Sequence, residues 1–258
     1  MKAKTIVNNK KQNTCSFEID DIDSSFVNAI RRCVVEEVPT LAVEDCEIRE
    51  NSSALYDEML ALRLGLTPIK TDLSSYSLPE NEDEITEKSA KCTLQIHLKA
   101  NKKGYVYASE AKSSDPKCTF VYPQMPIVKI NSKQKIDVVM TAVVGQGKDH
   151  IKWAPGTVWF NNKAKITVKN NAKLLEDNKQ KYPAQIFDSK GQISEKKIQE
   201  LGLVDAVAGV CPELVDVEYV ENSFIMNVEG WGQLSCTEML TTAANILAQK
   251  AKELEALI

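Results

Sequence analysis

The strongest constraint on this chain lies near its C-terminal end. Ser235-Cys236-Thr237-Glu238 has the form of a capping box, in which the serine hydroxyl accepts from the third helical amide and the glutamate reaches back. Leu240, Ala243, Leu247, Ala251, Leu254 and Ile258 then recur at steps of three and four, with no Pro or Gly among them. Such a run predicts a helix of about 23 residues, roughly 34 Å at 1.5 Å per residue. A helix that long overhangs a core of ordinary size. Its stripe must be covered either by the chain's own sheet or by a second helix, from this chain or another.

The rest of the chain supports a mixed fold. With 258 residues, two units are the natural expectation. Thr14–Asp20 reads as a strand and Ser24–Val38 as a helix that Pro39 stops. On that helix Phe26, Ile30, Val34 and Val38 fall at four-residue steps, opposite Asn28, Arg31 and Arg32. Leu41–Glu50 is strand-like, Leu55–Gly65 helical, and Asp72–Lys91 polar enough for a solvated loop. Cys92–Leu98, Ile136–Val144 and Val158–Val168 alternate as strands, and Ser194–Leu201 is a short helix ended by Gly202. Val215–Tyr219 and Phe224–Val228 flank Glu221-Asn222 in the pattern of a hairpin.

Catalytic chemistry finds little to work with. Gly145-Gln146-Gly147-Lys148 suggests a phosphate loop, but one residue separates its glycines where four are needed, and Asp149 stands where Ser or Thr would bind magnesium. A nucleotide-binding enzyme using residues 145–148 is therefore the weaker alternative to a structural turn. His97 falls on the polar face of a strand, and His150 beside Asp149 has no nucleophile motif to serve. No D-x-D-x-D run offers a magnesium site. Seven widely spaced cysteines, with no C-x-x-C, argue against a disulfide framework and against zinc or iron–sulfur ligation. The net charge of −4 gives no basic stripe for nucleic acid. No apolar run is long enough for a membrane helix, and no apolar leader follows the first lysines, so a cytoplasmic protein is expected. Arg31 and Arg32 read as solvated charge before they read as a carboxylate-docking patch. The residues alone thus point to an assembly protein without catalytic, cofactor or metal residues.

Four segments in order carry a family resemblance. Phe26-Val27-Asn28-Ala29-Ile30-Arg31-Arg32, followed by Glu37-Val38-Pro39, is similar to an N-A-[IL]-R-R helix. Leu62-Arg63-Leu64-Gly65-Leu66-Thr67-Pro68-Ile69 is similar to R-L-G-L-x-P-[IL]. Met125–Lys129 through Ile136 leads to Gly145–Trp153, similar to a G-x-G-x-x-H-x-K-W turn. Val228-Glu229-Gly230-Trp231-Gly232 then precedes the long helix. Together they resemble the α-like subunits of cellular DNA-directed RNA polymerases, nearest to the archaeal branch of that family, over nearly the whole chain.

The resemblance implies an α+β fold. A discontinuous αβ dimerisation domain would comprise residues 1–39 and 160–258, and a mainly-β domain, residues 40–159, would be inserted in it. It implies a non-catalytic subunit that pairs with a small α-like subunit, archaeal subunit L. With small subunits N and P, the pair would form the platform for the second-largest catalytic subunit, and DNA would be met only through the whole polymerase. Phe26, Ile30, Arg31, Arg32, Leu240, Leu247 and Leu254 would belong to partner interfaces. Some relatives hold an iron–sulfur cluster in the segment corresponding to about 169–219, but only Cys211 falls there, and one thiolate is too few. Cys46, Cys92 and Cys118 likewise lack the spacing of the zinc site found in eukaryotic relatives.

Overall fold

A computed structural model describes residues 1–169 and 171–258. Its strands are β1 (Lys2–Asn9), β2 (Thr14–Asp20), β3 (Thr40–Asn51), β4 (Thr93–Ala100), β5 (Gly104–Tyr107), β6 (Ala111–Ser113), β7 (Pro126–Ile130), β8 (Ile136–Gly145), β9 (Gly156–Val168) and β10 (Val215–Gly230). Its α-helices are α1 (Ser24–Glu36), α2 (Asp57–Gly65), α3 (Glu82–Thr86), α4 (Ala172–Asn178), α5 (Glu195–Glu200), α6 (Val204–Val207) and α7 (Cys236–Glu255). The fold is α+β, with sheets of order β1-β2-β10-β9 and β3-β8-β4-β6 and a β5-β7 pair. Among the described residues, no helix is long and apolar enough to cross a membrane.

The chain divides into two compact units. One comprises residues 1–4, 18–24 and 161–225, the other residues 5–17, 25–160 and 226–258. The larger unit is built on β8. Its alternating residues pair antiparallel with β3 on one side and β4 on the other, for example Met140 with Cys46 and with Ile96. Leu94, Ile96 and Leu98 of β4 turn into a core shared with Leu41, Met140 and Ile130. The helix α2 adds Leu60 and Leu64 to that core. Burying each such side chain contributes about 1.5–3 kcal/mol. The smaller unit has its own core of Ile166, Tyr182, Ile186, Ile198, Val207 and Leu214.

Two expectations need correction, and one strand had no expectation attached to it. The polar N-terminus forms β1, whose residues are exposed except for half-buried Asn9, so no alternation announced it. The loop at 72–91 contains the short helix α3. The expected hairpin is one continuous strand: Asn222 takes φ 53° without reversing the chain, and its carbonyl accepts from the Ile22 amide at 3.3 Å.

Candidate functional site

The residues expected at interfaces stand on α1 and α7, both in the larger unit apart from the first residue of α1. On α1, Val27, Cys33 and Val34 are buried, Ile30 is half-buried and Phe26 is exposed. The four-residue row drawn from the sequence therefore runs from exposed Phe26 through half-buried Ile30 to fully buried Val34 and Val38. Arg31 Nε donates to Asn28 Oδ1 at 2.9 Å. Arg32 forms a forked pair with Glu36, both bonds 3.0 Å. The pair holds the Glu36 carboxyl below its usual range, and its bonds leave both side chains solvent-accessible. An exposed i,i+4 pair of this kind stabilises a helix by only about 0.3–0.5 kcal/mol.

The start of α7 is heavily fixed. Ser235 Oγ accepts from the Glu238 amide at 3.3 Å, and Glu238 Oε2 accepts from the Ser235 amide at 2.8 Å, closing the expected capping box. Asn13 completes the anchor. It sits at φ 51°, where asparagine is among the few tolerated side chains. Its Nδ2 donates to Leu234 O at 2.8 Å, and its Oδ1 accepts from the Cys236 amide at 3.1 Å. Sequence reasoning missed Asn13, because its partners lie more than two hundred residues away in the chain. Met239 and Ala243 are buried, and Cys33 Sγ of α1 donates to Ala243 O at 3.4 Å. Burial raises that thiol to about 11, which keeps it a protonated donor. Lys250 Nζ and Glu37 Oε1 then meet at 2.6 Å.

Beyond that pair α7 has no cover from its own unit. Leu240 and Leu247 are half-buried, but every residue from 251 to 258 is exposed, and Leu254 is 60% exposed. The first half of the stripe is satisfied within the chain and the second half is not.

The turn at 145–153 is a clamp on the C-terminal end of α1. A helix leaves its last carbonyls without internal partners. Here Lys148 N donates to Glu36 O at 2.9 Å and Gln146 Nε2 to Glu37 O at 2.7 Å. A Cβ on Gly147 would overlap the Val35 carbonyl oxygen, and one on Gly145 would overlap the Trp153 ring. Trp153 Nε1 donates to Val143 O at 3.0 Å, and Thr40 Oγ1 donates to Trp153 O at 2.7 Å. The Lys152 ammonium lies 4.4 Å from the Trp153 ring centre, pairs with Glu44 and donates to Val43 O. His150 Nδ1 accepts from the Lys152 amide at 3.1 Å, capping one turn of 3-10 helix. The amides of Asp149 and His150 both donate to Gln146 O. The amides of Lys148, Asp149, His150 and Lys152 are thus spent on partners inside the protein rather than turned toward a phosphate.

The remaining motifs are structural too. Arg63 donates Nε to Ile127 O and Nη2 to Pro126 O, each at 2.7 Å, tying α2 to β7. In the Val228–Gly232 segment, Gly230 N donates to Asn13 O and Trp231 N to Pro155 O, both at 2.9 Å. His97 Nε2 and Lys99 Nζ each sit 2.7 Å from one oxygen of Asp137. Those contacts, Lys99 first, hold Asp137 down at about 2. His97 thus belongs to a cross-strand charge cluster. Among the described residues, no three His, Cys, Asp or Glu side chains are grouped to hold a metal ion.

Comparison with known proteins adds the family context. Residues 46–157 match the RNA polymerase Rpb3/RpoA insert domain. Over 252 residues the chain is 32% identical to DNA-directed RNA polymerase subunit Rpo3 of Methanosarcina acetivorans, covering 95% of this chain and 94% of that one. It is 32% identical over 251 residues to Rpo3 of Thermococcus kodakarensis, covering 94% and 92%. Rpo3 of Natronomonas pharaonis is 28% identical over 247 residues, covering 95% and 94%.

Proposed function

We propose, from the premise that this chain belongs to the DNA-directed RNA polymerase subunit Rpo3 family, that α7 and α1 together form the surface on which a small α-like subunit pairs. The protein is a non-catalytic assembly subunit of a DNA-dependent RNA polymerase, working within the polymerase complex. The observation that carries the pairing surface is the uncovered end of α7. Its apolar stripe continues through Leu254 past the last residue that its own unit buries. An exposed apolar stripe on a helix fixed at its other end is suited to meet a second helix.

On this reading the partner is subunit L, and Leu240, Leu247 and Leu254 meet it alongside Phe26 and Ile30. The forked Arg32 and neighbouring Arg31 remain exposed enough to dock a carboxylate of a larger chain. Subunits N and P and the second-largest catalytic subunit assemble on the pair, and the magnesium-dependent chemistry lies in the larger chains. The insert-domain match at 46–157 falls inside residues 40–159, which supports an inserted domain between the two halves of a dimerisation domain. Around the apolar core of Ile186, Ile198 and Leu214, Cys211 is a single thiol where a cluster needs three or four, so on this reading the region holds no cluster. The protein acts in the cytoplasm, and reaches DNA only as part of the polymerase.

Light scattering on the chain alone and mixed with its small partner tests the pairing. A one-to-one complex is the expected result. A monomer whose mass does not change on mixing contradicts it.

A further inference from the structure

Two thiols meet at the first turn of α7. Cys236 opens that helix, and its Sγ donates to Asn13 O at 3.0 Å and lies 3.7 Å from Val228 O. Cys15 stands on β2, beside β10 in the sheet. Gly230 N donates to Asn13 O at 2.9 Å, and Ser16 Oγ donates to Asn227 Oδ1 at 2.7 Å. Those two bonds set Cys15 level with Val228, the residue whose carbonyl Cys236 approaches. The two thiols are themselves in side-chain hydrogen-bond contact. Both are free and buried, and all of these residues belong to the larger unit. The pair leaves no C-x-x-C signature because its members lie far apart in the chain.

A small reagent has a way in. Cys236 lines a cavity of about 300 Å³ together with Asn9, Asn13 and Thr14, and exposed Asn8, Lys10 and Thr237 line it too. Beside the thiol the lining is polar, which suits a small polar molecule rather than an apolar one. A buried cysteine with no partner and no access is inert. This one has a second thiol in contact and a polar cavity at its side.

We propose that Cys15 and Cys236 form an oxidisable dithiol, which hydrogen peroxide entering the cavity converts to a disulfide joining β2 to the first residue of α7. Cys236 Sγ attacks one oxygen of the peroxide, the O–O bond breaks, and the products are a Cys236 sulfenic acid and one water. Cys15 Sγ then attacks the Cys236 sulfur. The S–O bond breaks, the S–S bond forms, and the hydroxyl leaves with the Cys15 proton as a second water. Each sulfur gives up one electron and the peroxide takes two. Burial, and then the neighbouring Cys236, push the Cys15 thiol up to about 12, so it waits protonated and reacts second. In a reducing compartment the pair rests as two thiols, and the bridge marks oxidising conditions. It adds a covalent tie to the capping box and the Asn13 contacts that already fix this end of α7. The site does not depend on the pairing reading above.

The full chain treated with hydrogen peroxide tests this. After quenching it is unfolded, alkylated with iodoacetamide and digested without reduction. Mass spectrometry is expected to find the peptides of Cys15 and Cys236 joined and two hydrogens lighter than their sum, with the remaining cysteines alkylated. The bridge is expected to raise Tm by roughly 5–10 °C, and dithiothreitol to reverse the rise. Cys15→Ser is expected to stop at a Cys236 sulfenic acid that dimedone captures, and Cys236→Ser to leave Cys15 open to alkylation. Full alkylation of both peptides after peroxide overturns the inference. So do bridges formed equally with Cys33 or Cys211, or a Tm rise that persists in both serine variants.

Discussion

The turn at 145–153 and the outer half of α7 both stand out in the sequence, and they do opposite things. The turn spends its polar groups inside the protein: amides on α1 carbonyls, an indole N–H on β8, an ammonium against Trp153 and Glu44. The outer half of α7 leaves Leu254 and its neighbours uncovered. A conspicuous motif that spends so many of its donors locally builds structure. A regular apolar stripe left half covered is available for a partner.

The sharpest way to break that contrast is at Gly147. Gly147→Ala drives a Cβ into the backbone carbonyl of Val35, which no side-chain rotation relieves. The expected loss is roughly 3 kcal/mol of stability, read from the denaturant midpoint. A variant as stable as the parent would mean that the turn is not a clamp. Leu254→Glu should do the reverse. It lies on exposed surface, so stability should change by no more than about 0.5 kcal/mol, while pairing with the small subunit weakens by about 2 kcal/mol or more.

Asn13 sharpens the comparison from the anchored end of the same helix. Asn13→Ala removes two hydrogen bonds at the start of α7 and places alanine at φ 51°. We expect a loss of about 2 kcal/mol, and Asn13→Gly, which tolerates the backbone, should lose less. If both variants match the parent in thermal unfolding, α7 is anchored by the capping box alone.

The smallest expected effect is electrostatic. Asp137 is held at about 2 in the folded chain by Lys99 and His97, below the ordinary carboxylate range. The unfolded chain therefore binds more protons between the two values. The stability from this cluster is full above the ordinary Asp range, about pH 4, and is lost as pH falls toward about 2. Asp137→Asn should flatten that part of the urea-midpoint profile, between about pH 5 and pH 2.5. An unchanged profile would assign the acid sensitivity to other carboxylates.

Local pattern revealed some of this and could not reveal the rest. The capping box and stripe of α7 were legible because both are written within one helix. The strand β4 was legible because Leu94, Ile96 and Leu98 alternate toward one core. The strand β1 was not, because its residues face solvent apart from half-buried Asn9 and carry no period. Glu221-Asn222 resembled a hairpin turn, yet the Asn222 conformation is absorbed within a continuous β10. The spacing of Gly145 and Gly147 excluded a phosphate loop, but no local pattern in 145–153 could supply its partners at Val35, Glu36 and Thr40. The polymerase role itself was legible only through the family resemblance, since an assembly surface has no signature of reacting groups.

The pairing surface is tested most directly by titrating the small α-like subunit into the unaltered chain and into Leu254→Glu, with circular dichroism showing both equally folded. The account predicts a one-to-one complex for the first and a strongly weakened or absent one for the second. Equal affinity for both would show that the uncovered end of α7 is not where the partner binds.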